Sequence, residues 1–346
     1  MSGDDLVPGG PPAGGLGAGS PQSPVRGKPV DFPTRRAMVG AIDTHVHAMP
    51  FINESDMNMD IFELSREAAL ATMGAIVLKP YFGSSCQIAY LANKYAGGVP
   101  IIGGVTLNFA AGGFNPDAVL VAADEGVYEG FRPGRVVWMP ERSALHRAKR
   151  LGFPAEQQAK YLSPFRNGDP KAGLIGEAKA VLEVIAERDL VLATSHISPE
   201  EGLALIQAAH GMGARRFLLT HASHDAVGYT LEQKKRAIEM GAYVEEVVLT
   251  WEPAMSLFHY SPIDANRVIF EAIDELGPDH YTLGTDSGFW VAARPADAYS
   301  VFVSLLLRRG LSVEDVRKMT VDNPTRLLRL DRPDDRPPVT RDQIGN

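Results

Sequence analysis

Eight short apolar or β-branched runs recur along this chain about 34 residues apart, the length that a strand, a crossover helix and two loops require. They are AIDTHVH (41–47), AIVLKPY (75–81), IIGGVTLNF (101–109), RVVWMPE (135–141), LVLATSHI (190–197), RFLLTHA (216–222), AYVEEVVL (242–249) and YTLGTDSG (281–288). The segments ELSREAALATMG (63–74), GEAKAVLEVIAERD (176–189), PEEGLALIQAAHGMG (199–213) and LEQKKRAIEMG (231–241) have the pattern of helices. Several of them close on Gly, a normal helix stop. Eight alternations within roughly 250 residues predict an α/β chain folded as a (β/α)8 TIM barrel. An open doubly wound sheet ordinarily shows a glycine fingerprint after its first strand; here the first run ends in histidines. The long interval 142–189 predicts an inserted helical segment after strand 4.

The barrel is expected over residues 37–332. Residues 1–36 form a Gly/Pro-rich stretch; eight Gly and seven Pro fall before position 36, with few large apolar side chains to offset the entropy of ordering. A disordered arm is expected there, and a flexible tail over 333–346. The arm lacks the basic start and apolar stretch of a signal peptide. A net charge of −8 and a pI near 5.6 argue against a nucleic-acid partner. No run of 18 apolar residues suggests a membrane span. The single cysteine, Cys86, excludes an internal disulfide or a multi-cysteine metal site and suits a reducing cytoplasm; a buried structural thiol is the expectation for it. No Walker-type loop and no G-x-S-x-G elbow is present.

The chemistry gathers at strand ends. His45 and His47 end the first predicted strand, His196 the fifth, His221 the sixth and Asp286 the eighth. In a parallel barrel all these ends lie on one face, where active sites are built. Positions i and i+2 of a strand share a side, so His45 and His47 can aim at one point. Asp43 lies on the same alternation and is expected to support them from beneath. Singly, each residue has a plain structural reading: a helix cap for His196, a core histidine for His221, a turn for Asp286. Five ligand-type side chains at the ends of four strands point instead to a divalent metal. Zinc comes first, with Mn, Fe, Co or Ni as alternatives.

These residues resemble the amidohydrolase superfamily of metal-dependent (β/α)8 enzymes. The matching pieces are DTHVH (43–47), SHIS (195–198), THASHD (220–225), GTDSG (284–288) and VDNPTRLLRL (321–330), the last similar to the family's closing helix. The resemblance implies that His45, His47 and Asp286 hold a metal, with His196 and His221 divided between metal and water. Two-metal members carry a carboxylated Lys or a Glu at the end of strand four. Here that end is RVVWMPER, with no Lys, so one ion is favoured over two. Glu141 and Lys79 can both reach the same mouth, Lys79 as a contact for a substrate anion.

A bound cation lowers the pKa of water from about 16 to near 7. Asp286 is expected to accept that proton as general base, and His221 to hydrogen-bond the water or a developing oxyanion. Tyr81, Trp138, Arg142, His224, Trp251 and Arg294 lie near strand ends as candidates for substrate recognition. Arg142 or Arg294 can grip a carboxylate with forked donors. Glu245 and Glu246 point to opposite faces of strand seven, so one of them faces the barrel interior. The first reading is a hydrolase of an amide, lactone or ester in a small molecule. The second is a metal-dependent non-oxidative decarboxylase on the same barrel, and the third a non-catalytic metal-binding protein. Apolar helix faces leave homo-oligomerisation open. The substrate itself is set by strand-end loops that composition does not decode.

Overall fold

The computed structural model describes residues 32–50, 57–248 and 262–331. The arm before residue 32, the tail after 331 and Trp251 lie outside them. Pro33–Met38, which begins within the stretch expected as the arm, is a helix. It is tied down by Arg317, which donates to the carbonyls of Arg36 and Val39, and by Thr320 Oγ1, which donates to that of Ala37.

Eight parallel strands follow: β1 (Ile42–Val46), β2 (Ala75–Leu78), β3 (Ile101–Thr106), β4 (Gly134–Trp138), β5 (Val191–Ala193), β6 (Phe217–Leu219), β7 (Ala242–Val247) and β8 (Tyr281–Gly284). They pair in chain order from β1 to β8. This is the barrel the spacing predicts, because each crossover carries helix and returns the chain parallel to the last strand. A two-residue strand, Gly83–Ser84, pairs antiparallel with the end of β3. Closure of β8 on β1 occurs at the rim. Asp286 N–H donates to His45 O (2.7 Å), and His47 N–H donates to Ser287 O (2.9 Å). The last hydrogen bonds that shut the cylinder therefore run through the candidate site.

Two apolar layers result. Ile42, Val77, Ile102, Val136, Trp138, Val191, Ala193 and Leu218 form one cluster with Leu327 and Leu328 of the closing segment. Alternate residues such as Ile76, Leu78, Val137, Leu192 and Phe217 belong to the larger cluster that includes the helices. Alternation with period two thus sorts each strand between the two layers. The interval after β4 holds helices Leu145–Arg150 and Ala155–Gln158 and two 3₁₀ turns, before the crossover helix Gly176–Glu187. Capping boxes at Asp60/Glu63, Ser198/Glu201 and Thr230/Gln233 fix three helix starts by satisfying amides that have no partner inside the helix. Among the described residues no helix is long and apolar enough to cross a membrane.

Candidate metal centre

Strand β1 does not keep strict alternation up to its end. Its pairing with β2 shifts register between Asp43 and Val46, as a β-bulge does. The consequence is that neighbouring side chains, Thr44 and His45, both reach Glu245 of β7. Thr44 Oγ1 donates to Glu245 Oε1 (2.8 Å), and His45 Nδ1 lies 2.9 Å from Glu245 Oε2. Asp43 supports the pair from a different direction. Its carboxylate accepts from His45 N–H (3.1 Å), Thr285 N–H (2.9 Å) and Thr285 Oγ1 (2.7 Å), joining β1 to β8. Burial pushes Asp43 up to about 7 despite these donors.

One ligand atom each from His45, His47 and Asp286 falls within 4.8 Å of the others. The tautomers decide what belongs between them. His47 Nδ1 is 3.0 Å from the carbonyl oxygen of Lys79, which only accepts, so the proton sits on Nδ1. Glu245 acts in the same way on His45 Nδ1. Both Nε2 lone pairs then face Asp286 Oδ1, at 3.1 Å from His45 and 3.0 Å from His47. His45 Nε2 is buried without a directed hydrogen bond. Three acceptors converging on one point require extra protons or a cation. Burial opposes charge on His45, yet Asp286 and Glu245 raise it to about 9; burial keeps His47 below its ordinary value. For Asp286, burial is outweighed by His45 and His47, which hold it well below the carboxylate range. Imidazole nitrogens fixed by acceptors behind them and facing a carboxylate are the donor set a divalent ion takes. The residues fit the metal.

The other two histidines form a second pair beside this trio. His196 Nε2 and His221 Nε2 are 3.1 Å apart, and the His221 ring stacks on that of His45 with centroids 5.6 Å apart. Burial holds both well below 6.5, so at most one proton lies between the two nitrogens, and His221 Nδ1 is buried without a partner. Backbone conformation presents these groups. Ser195, His221 and Asp286 all adopt positive φ (48°, 34° and 52°), at the ends of β5, β6 and β8. Non-glycine residues hold that region at a cost of order 1 kcal/mol or more, which clusters where side chains must be turned toward a site.

The remaining candidates divide sharply. Lys79 and Glu141 are both buried and face each other, Nζ to Oε2 at 3.7 Å; Glu141 Oε2 has no hydrogen bond. Tyr81 lies flat on His47, ring centroids 4.4 Å apart and 6° from parallel, and Arg142 covers its other side at 4.5 Å. Arg294 is turned away: its Nε (2.8 Å) and Nη2 (2.5 Å) fork onto Glu67, with Nη1 toward Asn58 O. Trp138 is fully buried in the interior cluster and lines no mouth. His224 is buried, pushed down to about 4 by desolvation, and its Nδ1 accepts from Ala226 N–H. Cys86 is a buried thiol, its Sγ 3.2 Å from Ala122 O.

Of two supporting residues, Glu245 is the interior member of the strand-seven pair, and Asn108 carried no signal in the sequence. Glu245 also accepts His221 N–H (3.1 Å) and so links β1, β6 and β7. Asn108, buried after β3, donates to Tyr81 O (3.0 Å) and accepts from Glu141 N–H (2.9 Å) and Ser143 N–H (3.0 Å). On the outer face Glu246 pairs with buried Lys234 (2.8 Å) and Ser223 Oγ (2.8 Å), tying down the loop that carries His221 and His224.

Two Results follow from this packing. A Cβ at Gly288 (φ +120°) would meet His47 O at 1.8 Å. Gly288→Ala is therefore expected to prise β8 from β1, at a cost above ~3 kcal/mol, with metal binding lost. Calorimetric melting and metal analysis check it; a variant that melts and binds like wild type refutes the closure described above. The second concerns acid. His47, His196, His221 and His224 are held neutral below 6.5, so their contribution is full above 6.5 and lost as pH falls toward the folded values. His45 has the opposite sign, its contribution being lost as pH rises through about 9. Asp43, raised to about 7, also opposes them, because it takes up a proton in the folded state as pH falls through that value. Four against two, the metal-free protein should melt about 3 °C or more lower at pH 5.5 than at pH 7.5; a flat profile contradicts the burial.

Comparisons with known proteins agree with the architecture. Residues 40–245 match the family described as "Family of unknown function (DUF6282)". No curated protein matches the sequence. Among solved structures, a mutant of organophosphorus hydrolase from Deinococcus radiodurans is 16% identical with a TM-score of 0.54, covering 85% of this chain and 94% of that one. An amidohydrolase from Pseudomonas aeruginosa is 13% identical with a TM-score of 0.52, covering 86% and 98%. A mutant of a Deinococcus radiodurans PTE-like lactonase is 15% identical with a TM-score of 0.54, covering 85% and 97%. At such identities the likeness is one of fold, a (β/α)8 barrel.

Proposed function

The chain belongs to the DUF6282 family, and from the geometry of its barrel mouth we propose that it is a metal-dependent hydrolase cleaving an amide, lactone or ester bond in a small molecule. The observation that carries the reading is the convergence of His45 Nε2, His47 Nε2 and Asp286 Oδ1, with Glu245 and Lys79 O fixing the tautomers behind them. Similarity in fold to structures titled organophosphorus hydrolase, amidohydrolase and PTE-like lactonase supports it.

His45, His47 and Asp286 would hold one divalent ion, zinc first, with His196 and His221 completing its surroundings. Such an ion supplies a water of lowered pKa and polarises the carbonyl under attack. The chain's own groups do the rest. Asp286, ionised across the neutral range and a tenth exposed where its partners are closed off, takes and returns a proton. Neutral His221 offers a ring nitrogen at the reacting centre. Lys79 presents its ammonium beside Glu141 to charge that develops there. Cytoplasmic residence, a small-molecule partner and a self-associating barrel face belong to the same proposal.

Decarboxylation is the second reading, favoured by the absence of a lysine at the end of β4. The test joins both. Purified protein should carry about one metal per chain and lose esterase, lactonase or amidase turnover on chelation, with recovery on adding zinc or manganese. Full activity without metal overturns the proposal, and carbon dioxide release without hydrolysis selects the second reading.

A further inference from the structure

Resting on that reading, we propose that Arg142 is an oxyanion-binding residue of the mouth, so that the substrate is a small molecule with a flat apolar body and a carboxylate or phosphate group. Two other cations singled out at strand ends already face carboxylates. Arg294 spends its fork on Glu67, and Lys79 faces Glu141. His224 is a neutral acceptor. Arg142 is exposed, and among the described residues it is paired with no carboxylate.

Its position is nonetheless built. The guanidinium lies over Tyr81, and Tyr81 lies flat on His47, so one ring separates Arg142 from a candidate metal ligand. Arg142 also donates toward the Tyr81 hydroxyl, which orients its fork and leaves the rest of its five N–H donors for an anion. Asn108 fixes both sides of the stack, holding Tyr81 O with its amide and the N–H groups of Glu141 and Ser143, which flank Arg142, with its oxygen.

Charge and shape agree. In a chain of net charge −8, the segment 142–150 carries Arg142, Arg147, Lys149 and Arg150. Of these only Arg150 has a carboxylate nearby among the described residues, Asp225 at 3.9 Å. Phe289 leans on His47 and Tyr81 (5.4 and 6.1 Å), adding an apolar face to the stack that carries the guanidinium.

The test is titration calorimetry on metal-loaded protein with benzoate, phenyl phosphate and neutral benzamide. At least one anion should bind about tenfold or more tightly than benzamide. R142Q should bring that anion to within about threefold of benzamide, and R142K should restore only part, because an ammonium lacks the fork. Azide, too small to bridge from the ion to Arg142, should bind all variants alike at equal metal content. Benzoate alone winning assigns a carboxylate, phenyl phosphate alone a phosphate. No anion preference in the wild type, or an undiminished preference in R142Q, overturns the proposal. An inactive, metal-free preparation would instead sink the hydrolase reading, while the anion preference and its loss in R142Q still decide this one.

Discussion

Asp286→Asn should leave the barrel folded and reduce turnover by about 10³-fold or more. The change is nearly isosteric, and the position adopts φ 52°, a left-handed conformation that Asn tolerates as well as any residue with a side chain. The charge is what changes. In the wild type Oδ1 is the anion that both imidazoles face; without metal it helps hold the proton on His45, raised to about 9, while His47 stays neutral. An amide can instead donate to His47 Nε2, and the substitution removes the anion a cation would neutralise. His45 loses the carboxylate that most raises its pKa. Metal affinity should therefore fall about 10–100-fold, and turnover should remain low even when metal is supplied to saturation, because no carboxylate is left to accept the proton. Metal per chain, melting temperature and turnover against added metal check the three parts. More than a tenth of wild-type turnover at full occupancy would remove Asp286 from the chemistry.

The sequence made the barrel legible because its strands and helices alternate with distinct periods. His45, His47 and Asp286 were legible because a parallel barrel puts every strand end on one face. What strict period-two alternation does not give is that Thr44 and His45, neighbours in β1, both reach Glu245 where the register shifts. Glu245 and Glu246 were separable only as opposite faces; which faced inward depended on Lys234, a residue of a helix 11 residues after Ser223 in the same buried cluster. Arg142 and Arg294 carried the same signal, an arginine beyond a strand end. Only packing distinguishes them, a tyrosine under one and Glu67 against the other. Asn108 gave no signal, because a buried amide that bridges two loops looks in sequence like any loop asparagine. Trp138 resembled a mouth residue by position, but as the last residue of β4 it points into the barrel core.

Glu245 offers the sharper test of whether the centre is organised around a cation. Its two oxygens take Thr44 Oγ1, His45 Nδ1 and His221 N–H, with no solvent access to the carboxylate. Glutamine can keep this network. Its oxygen accepts from His45 and His221, its amide donates to Thr44, and the Thr44 hydroxyl turns its proton to Leu283 O, already 3.1 Å away. Glu245→Gln should then fold normally, with a melting temperature within a few degrees of wild type. It withdraws the negative charge that makes His45 a strong ligand, so metal affinity should drop about 10–100-fold. Glu245→Ala is expected to behave differently, leaving two buried donors, His45 Nδ1 and His221 N–H, without partners at about 1–3 kcal/mol each and lowering the melting temperature by roughly 5 °C or more. Chelator-competition titration reads the affinity, and nitrogen chemical shifts of His45 read which ring nitrogen carries the proton. If Glu245→Gln binds metal within twofold of wild type, the carboxylate serves only to hold three strands together, and the link from β7 through His45 to the reacting centre is lost.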